Sequence, residues 1–160
     1  VELLKSDFIV SLPKLKTHHW AGMTASMKNL FGAVPGAVYG WPKNLLHLRG
    51  IDNSILDLNS TIKPHFTIVD AVVGMEGDGP IMGRPRPTGF IAMGADLVAV
   101  DATCARIIGL DPARLRYLSM ASRFLGNLSP GRIDQRGEAP TRFETRFEVI
   151  ESMKTLRLGA

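Results

Sequence analysis

Apolar and polar positions alternate between two periods along this chain. Phe8, Ile9 and Val10 form a short apolar run stopped at Pro13, the pattern of a buried strand. A helix is predicted over residues 24–31, closing at Gly32, a common helix stop. The next ten residues, AVPGAVYGWP (33–42), are rich in turn formers and predict a loop. From Ile51, apolar residues recur at Ile55, Leu58 and Ile62, one face of a helix that Lys63-Pro64 ends. Residues 66–73 predict a second buried strand, 74–87 (GMEGDGPIMGRPRP) a long glycine and proline loop, and 90–93 a third strand.

Two helices follow. Asp96 is a cap for the first, which carries Leu97, Val100, Cys104 and Ile108 on one side and stops at Gly109. Asp111-Pro112 opens the second, with Leu115, Leu118 and Leu125 inward and Gly126 at its end. After Ser129 the pattern weakens, and 143–150 is a candidate strand. Buried strands separated by helices predict an α/β fold, helices layered around a mostly parallel or mixed sheet. The expected division is a lobe over 1–126 and a weakly patterned extension over 127–160. Because the chain opens on Val1 and leads at once into a strand, it is expected to be one lobe of a larger fold.

Composition narrows the classes. With 160 residues, 45% hydrophobic and 21% charged, the chain is an ordinary globular domain. Its formal net charge of +4 suits an anionic small molecule. A single cysteine, Cys104, excludes an internal disulfide and any four-cysteine zinc or iron–sulfur site built from this chain alone. No apolar run reaches the roughly 18 to 20 residues that span a bilayer, so a cytoplasmic location without membrane insertion is expected. The GxGxxG and P-loop patterns are missing. Arg84-Pro85-Arg86-Pro87 lacks interleaved aromatic residues, which disfavours nucleic acid.

The stretch PKLKTHHWAGMTASMKNLFG, residues 13–32, gathers Lys14, Lys16, His18, His19, Lys28 and Asn29 where the first strand gives way to a helix. α/β folds place ligands at such junctions, and a helix start beside lysines favours an anion. A plain solvated rim is the competing reading.

The segment SDFIVSLPKLKTHHWAGMTASMKNLFGAVPG, the run KPHFTIVDAVVGMEGDGPIMGRPRP, the helix GADLVAVDATCARIIGLDP and the following Tyr117-Leu118 together resemble the domain of unknown function 362 family, in order and over nearly all of the chain to about Gly126. The resemblance implies that this is the C-terminal half of such a protein, partnered by a missing N-terminal half or a ferredoxin-like protein. A shorter stretch resembles the nickel-dependent lactate racemases: His18, Ala21-Gly22, Lys28 ten residues after His18, and Pro35-Gly36, with Thr24-Ala25-Ser26 in place of Ser-Gly-Gly. That likeness implies His18 as an acid/base, Lys28 as the tether of a nickel-bearing organic cofactor, and His47 as a metal ligand.

The residue chemistry is compatible. An ordinary imidazole exchanges a proton near neutral pH, and a lysine beside other cations becomes a usable nucleophile. A neutral His47 suits nickel or another divalent metal, though it also suits the edge of an apolar helix. Glu76 and Asp78 are either a lip over this site or turn residues, and Asp70 a turn or capping residue. Asp101, on the apolar stripe of its helix, requires a partner, with Lys28 or Arg106 the candidates. Cys104 is expected in the core and His65 in packing. Catalytic His18 and Lys28, anion-binding Lys14, Lys16, Asn29 and Asp78, and metal-binding His47 are thus the expected site of an enzyme for a small anionic substrate or cofactor. The alternative is a non-catalytic module whose basic loop docks an iron–sulfur protein.

Overall fold

The computed structural model describes residues 2–40 and 44–160, with Asn44 described by its backbone alone. Val1, and the Trp41-Pro42 end of the expected loop, lie outside the described residues. Among the described residues five strands form one mixed sheet: β1 (Val10–Ser11), β2 (Lys14–His18), β3 (Gly22–Thr24), β4 (Phe66–Glu76) and β5 (Arg84–Gly94). Strand β4 is its spine. β1 and β2 run parallel along one edge of it in succession, with Val10 opposite Phe66, Lys14 opposite Asp70 and Lys16 opposite Met75. They are one strand interrupted near Pro13, which has no N–H to give but whose carbonyl accepts from Asp70 N at 2.8 Å. β5 lies antiparallel on the other edge of β4, and β3 folds back antiparallel on β2.

The helices are α1 (Ser26–Asn29), continued by a 3-10 turn over Leu30–Ala33, then α2 (Gly36–Tyr39), α3 (Asn44–Leu48), α4 (Ile51–Ile62), α5 (Leu97–Ile107) and α6 (Arg116–Ala121). α4 spans the residues its apolar spacing predicts, and Lys63 ends it in a left-handed conformation at φ 49°. Asp96 caps α5, accepting from Ala99 N at 2.9 Å. Met23, Met27, Ile55, Val69, Val98 and Leu118 belong to the one core between the sheet and these helices. Among the described residues no helix is long and apolar enough to cross a membrane.

Several expectations change, among them the loop expected over 33–42, which holds α2, and the helix expected to reach Gly126, which ends at Ala121. Residues 14–18 are a strand, not a loop: Leu15 and Thr17 are fully buried on the core side while Lys14, Lys16 and His18 alternate with them. The expected loop over 74–87 shrinks to 77–83, because β4 continues to Glu76 and β5 begins at Arg84. An edge strand tolerates Pro85 and Pro87, although proline at those positions predicts a loop. α6 begins at Arg116, after turns that follow Asp111. No strand forms over 143–150. There Thr145 N and Phe147 N donate to the terminal carbonyls of Ile107 and Ile108, and only Val149 makes an isolated bridge, to Gly77. The last segment is irregular, yet Phe147 and Met153 are buried, and a Cβ at Gly74 would stand 2.8 Å from the Phe147 ring.

The face of the sheet turned away from the core is open, with apolar positions around the Lys14–Asp70 pair. Val10, Val72, Ile91 and Met93 are all exposed, and the register sets Met93 beside Ile68 and Ile91 beside Asp70.

Candidate anion-binding cleft

The alternation that buries Leu15 and Thr17 sends Lys14, Lys16 and His18 to one wall of a cleft of about 720 Å³. Antiparallel pairing puts Thr24 of β3 directly across from Lys16. Helix α1 adds Lys28 and Asn29, α3 adds His47, and Pro80 and Ile81 come from the tip of the β4–β5 hairpin. Six of the seven residues expected to form a site therefore line one cavity. The seventh, Asp78, does not: it is exposed on the hairpin loop, its Oδ1 3.5 Å from His19 Nδ1.

His18 is buried, and its Nδ1 accepts from the backbone N–H groups of Trp20 and Ala21, both at 3.2 Å. Burial, reinforced by the positive charge of Lys28, lowers its pKa to about 3. The ring is therefore neutral at physiological pH, with Nδ1 committed as acceptor and the proton on Nε2. This differs from the freely exchanging imidazole the sequence suggests: His18 acts as a fixed hydrogen-bond donor. Lys28 is only 9% exposed, and its ammonium lies 3.8 Å from the centre of the Phe31 ring, a cation–π contact. Lys14 is paired at the rim with Asp70, 2.5 Å away, and Asn29 Nδ2 donates to Ser11 Oγ at 3.1 Å.

Two donors are unmet. Among the described residues Lys16 pairs with no carboxylate, and the buried Thr24 Oγ1 has no hydrogen-bond partner. Thr24 is the site residue the sequence reading missed. Its signal was there in the alternation of 14–18 and the Ala21-Gly22 turn, which together make a hairpin whose second strand must return beside Lys16. Among the described residues no carboxylate lines the cleft.

The chain matches the family described as Domain of unknown function (DUF362) over residues 1–106. It belongs to the DUF362 family. It is also 33% identical over 128 residues to a thylakoid-associated protein of Synechocystis sp. (strain PCC 6803), an alignment covering 76% of this chain and 39% of that relative. The chain thus spans about two fifths of the length of this relative. No solved structure matches it.

The DUF362 match reaches past Asp101, whose partners are neither Lys28 nor Arg106. The fully buried carboxylate accepts from Ser26 N at 2.7 Å and Met27 N at 3.1 Å, so α5 caps α1 across the core. Burial raises its pKa to about 6, against the opposing pull of the Ser26 hydrogen bond. Asn59 Nδ2 holds Met27 O at 3.0 Å, and Thr67 Oγ1 meets Ser26 Oγ at 3.0 Å. This polar lattice fixes the short helix that carries Lys28. Arg106 turns instead to Leu128 O.

Glu76 is not a lip over the cleft. Its buried carboxylate takes Arg84 Nε at 3.1 Å and Glu148 N at 2.9 Å, tying the hairpin to the C-terminal segment. Cys104 is buried, with its thiol pKa pushed up by burial and by Asp101, and His65 Nδ1 accepts from Ile9 N at 3.1 Å; both are structural. His47 packs against Trp20 and Phe31, ring centres 4.8 and 5.6 Å apart. Among the described residues no three His, Cys, Asp or Glu side chains gather around it or elsewhere, so the donor set does not fit a nickel ion held by protein ligands alone.

Proposed function

We propose that this cleft binds a small organic anion, with Lys16 and Lys28 supplying charge and the His18 Nε2–H and Thr24 hydroxyl supplying neutral donors. The observation that carries the reading is the one-sided lining: cations and donors line the cavity, Lys16 and Thr24 meet no partner among the described residues, and among those residues no carboxylate lines it. Removed from water, such groups bind negative oxygen more strongly than they would at the surface. If the bound anion reacts, a neutral imidazole donor favours chemistry in which charge develops on an oxygen, with His18 stabilising that charge rather than supplying a proton. Calorimetric titration of the protein at low salt with phosphate esters, hydroxy acids and oxo acids tests this. One class should bind, and weaken as salt rises. No binding by any of them rejects the reading.

A second reading rests on the part of the open sheet face next to the cleft. The open apolar sheet face around Val72, Ile91 and Met93 is suited to a partner, either the remainder of a longer DUF362 protein or a ferredoxin-like iron–sulfur protein. The thylakoid association of the Synechocystis relative brings a membrane-apposed setting into this proposal beside a cytoplasmic one. Met93→Asp, beside Ile68 and away from the Lys14–Asp70 pair, should abolish partner capture by the family's N-terminal half without altering anion binding, and unchanged capture would reject this use of the face.

A further inference from the structure

We infer that the anion carries a flat unsaturated ring and that Trp20 is the platform on which the ring stacks; this rests on the anion reading above. Trp20 lines the cleft yet stays 60% exposed, an unusual place for the largest apolar side chain. It is not a loose surface residue. His19 meets it edge to face at 5.1 Å and 84°, and His47 does so at 4.8 Å and 65°, so two rings brace the indole from different elements. Its own backbone N–H is bonded to His18 Nδ1, which ties the platform to the neutral donor two residues before it.

A braced indole with a free surface binds ring systems because every planar π-system can stack on it, whatever its edge chemistry. The lysines decide the charge: a cationic ring would be repelled, whereas a ring bearing a phosphate or carboxylate satisfies both ends at once. Ile81, 80% exposed, and Pro80 line the same cleft and give the ring apolar company rather than competing donors. His47 gains a role on this reading. It is a positioning residue for the platform, which accounts for its place between Trp20 and Phe31 without a metal.

Matched pairs of ligands test the inference by calorimetry and indole fluorescence: adenosine 5′-monophosphate against ribose 5-phosphate, and pyridine-2-carboxylate against cyclohexanecarboxylate. In at least one pair the ring-bearing member should bind about 5- to 100-fold tighter and quench the indole, the range stacking usually supplies. The pair that shows it identifies the anionic group. Trp20→Leu should erase the preference while leaving the affinity of the non-aromatic member within about twofold. Trp20→Phe, which keeps a smaller ring, should retain part of the preference and serves if the leucine variant fails to fold. Equal affinities within both pairs, or a preference that survives in Trp20→Leu, overturn the inference while leaving anion binding intact. Failure of all four compounds to bind overturns the platform, and the anion reading falls with it where the phosphate esters, hydroxy acids and oxo acids also fail to bind.

Discussion

Lys16 and Thr24 face each other across the β2–β3 ladder, and among the described residues neither meets a partner in the protein. Side chains opposed in this way lie roughly 5 Å apart at Cβ, close enough to hold one oxyanion between them. A fold tolerates a buried unmet hydroxyl only at a cost of about 1–3 kcal/mol, so on the anion proposal Thr24 is the neutral donor whose removal tests the cleft most directly.

Thr24→Val separates the two explanations. Valine keeps the shape and removes the hydroxyl, so the melting temperature should hold or rise by a few degrees. Anion affinity should fall several-fold by calorimetry. Unchanged affinity would make Thr24 a packing defect instead of a ligand group.

The core was more legible than the cleft. Ile55 and Leu58 announce α4 because a helix face repeats the same apolar choice for three turns. Lys14, Lys16 and His18 also repeat, at period two, but Pro13 and the His-His pair look like loop punctuation and hide a strand only five residues long. Asp101 shows a different limit. Its position on an apolar stripe signals a buried partner, yet its partners are the main-chain N–H groups of Ser26 and Met27, which every residue carries and no sequence pattern marks. The convergence of Lys28 and His47 was suggested by motif spacing, whereas the commitment of His18 Nδ1 depends on a turn whose geometry the letters do not encode.

His18 and Asp101 give opposite acid responses. With a folded pKa of about 3, His18 stays neutral while the unfolded chain takes a proton below about 6.5; its contribution is complete above 6.5 and is lost as pH falls, on the order of 2 kcal/mol by pH 5. Asp101, raised to about 6, binds a proton more readily folded than unfolded, so its contribution is fullest below about 4 and declines as pH rises to 6. The two slopes partly cancel between pH 4 and 6. Denaturant titrations should show His18→Asn losing stability as pH rises through that window, and Asp101→Asn losing it as pH falls. Parallel curves for both variants would contradict these assignments.

Asp101→Asn has a second effect. An amide offers one acceptor oxygen where the carboxylate offers two, so either Ser26 N or Met27 N loses its partner at the start of α1. The expected loss is about 1–3 kcal/mol, with amide exchange accelerated over 26–29 before the rest of the core. Protection retained there would show that the cap is not what holds α1.

Gly79 fixes the roof of the cleft. A Cβ there would sit 2.1 Å from Thr17 O, a backbone atom of β2 that cannot swing away. Thr17 Oγ1 also holds Gly77 O at 2.9 Å, and His19 N holds Gly79 O at 3.0 Å, so the loop is tied down on both sides of the clash. Gly79→Ala should cost more than about 2 kcal/mol in denaturant titration, whereas Gly131→Ala, which meets nothing within 4 Å, should stay within about 0.5 kcal/mol. Equal stability of the two proteins would mean that the loop does not sit against β2 in solution.

Lys28 is the residue on which the anion reading depends most. Being 9% exposed with its ammonium over Phe31, it is not a surface lysine whose removal the fold would ignore, so alanine would confuse lost packing with lost charge. Methionine keeps the stem and removes only the ammonium. Lys28→Met should stay within about 1 kcal/mol of the parent in stability and lose at least about tenfold in anion affinity, the equivalent of roughly 1.4 kcal/mol. Arginine keeps the charge without a nucleophilic amine, so Lys28→Arg should retain part of the affinity if the contact is electrostatic and none if the anion is held covalently. An independent readout comes from His18. The charge on Lys28 helps to depress its pKa, second to burial, so the methionine variant should titrate His18 at higher pH by ¹⁵N NMR. Unchanged affinity together with an unmoved His18 would take Lys28 out of the binding site, and Lys14 and Lys16 would then be no more than a solvated rim.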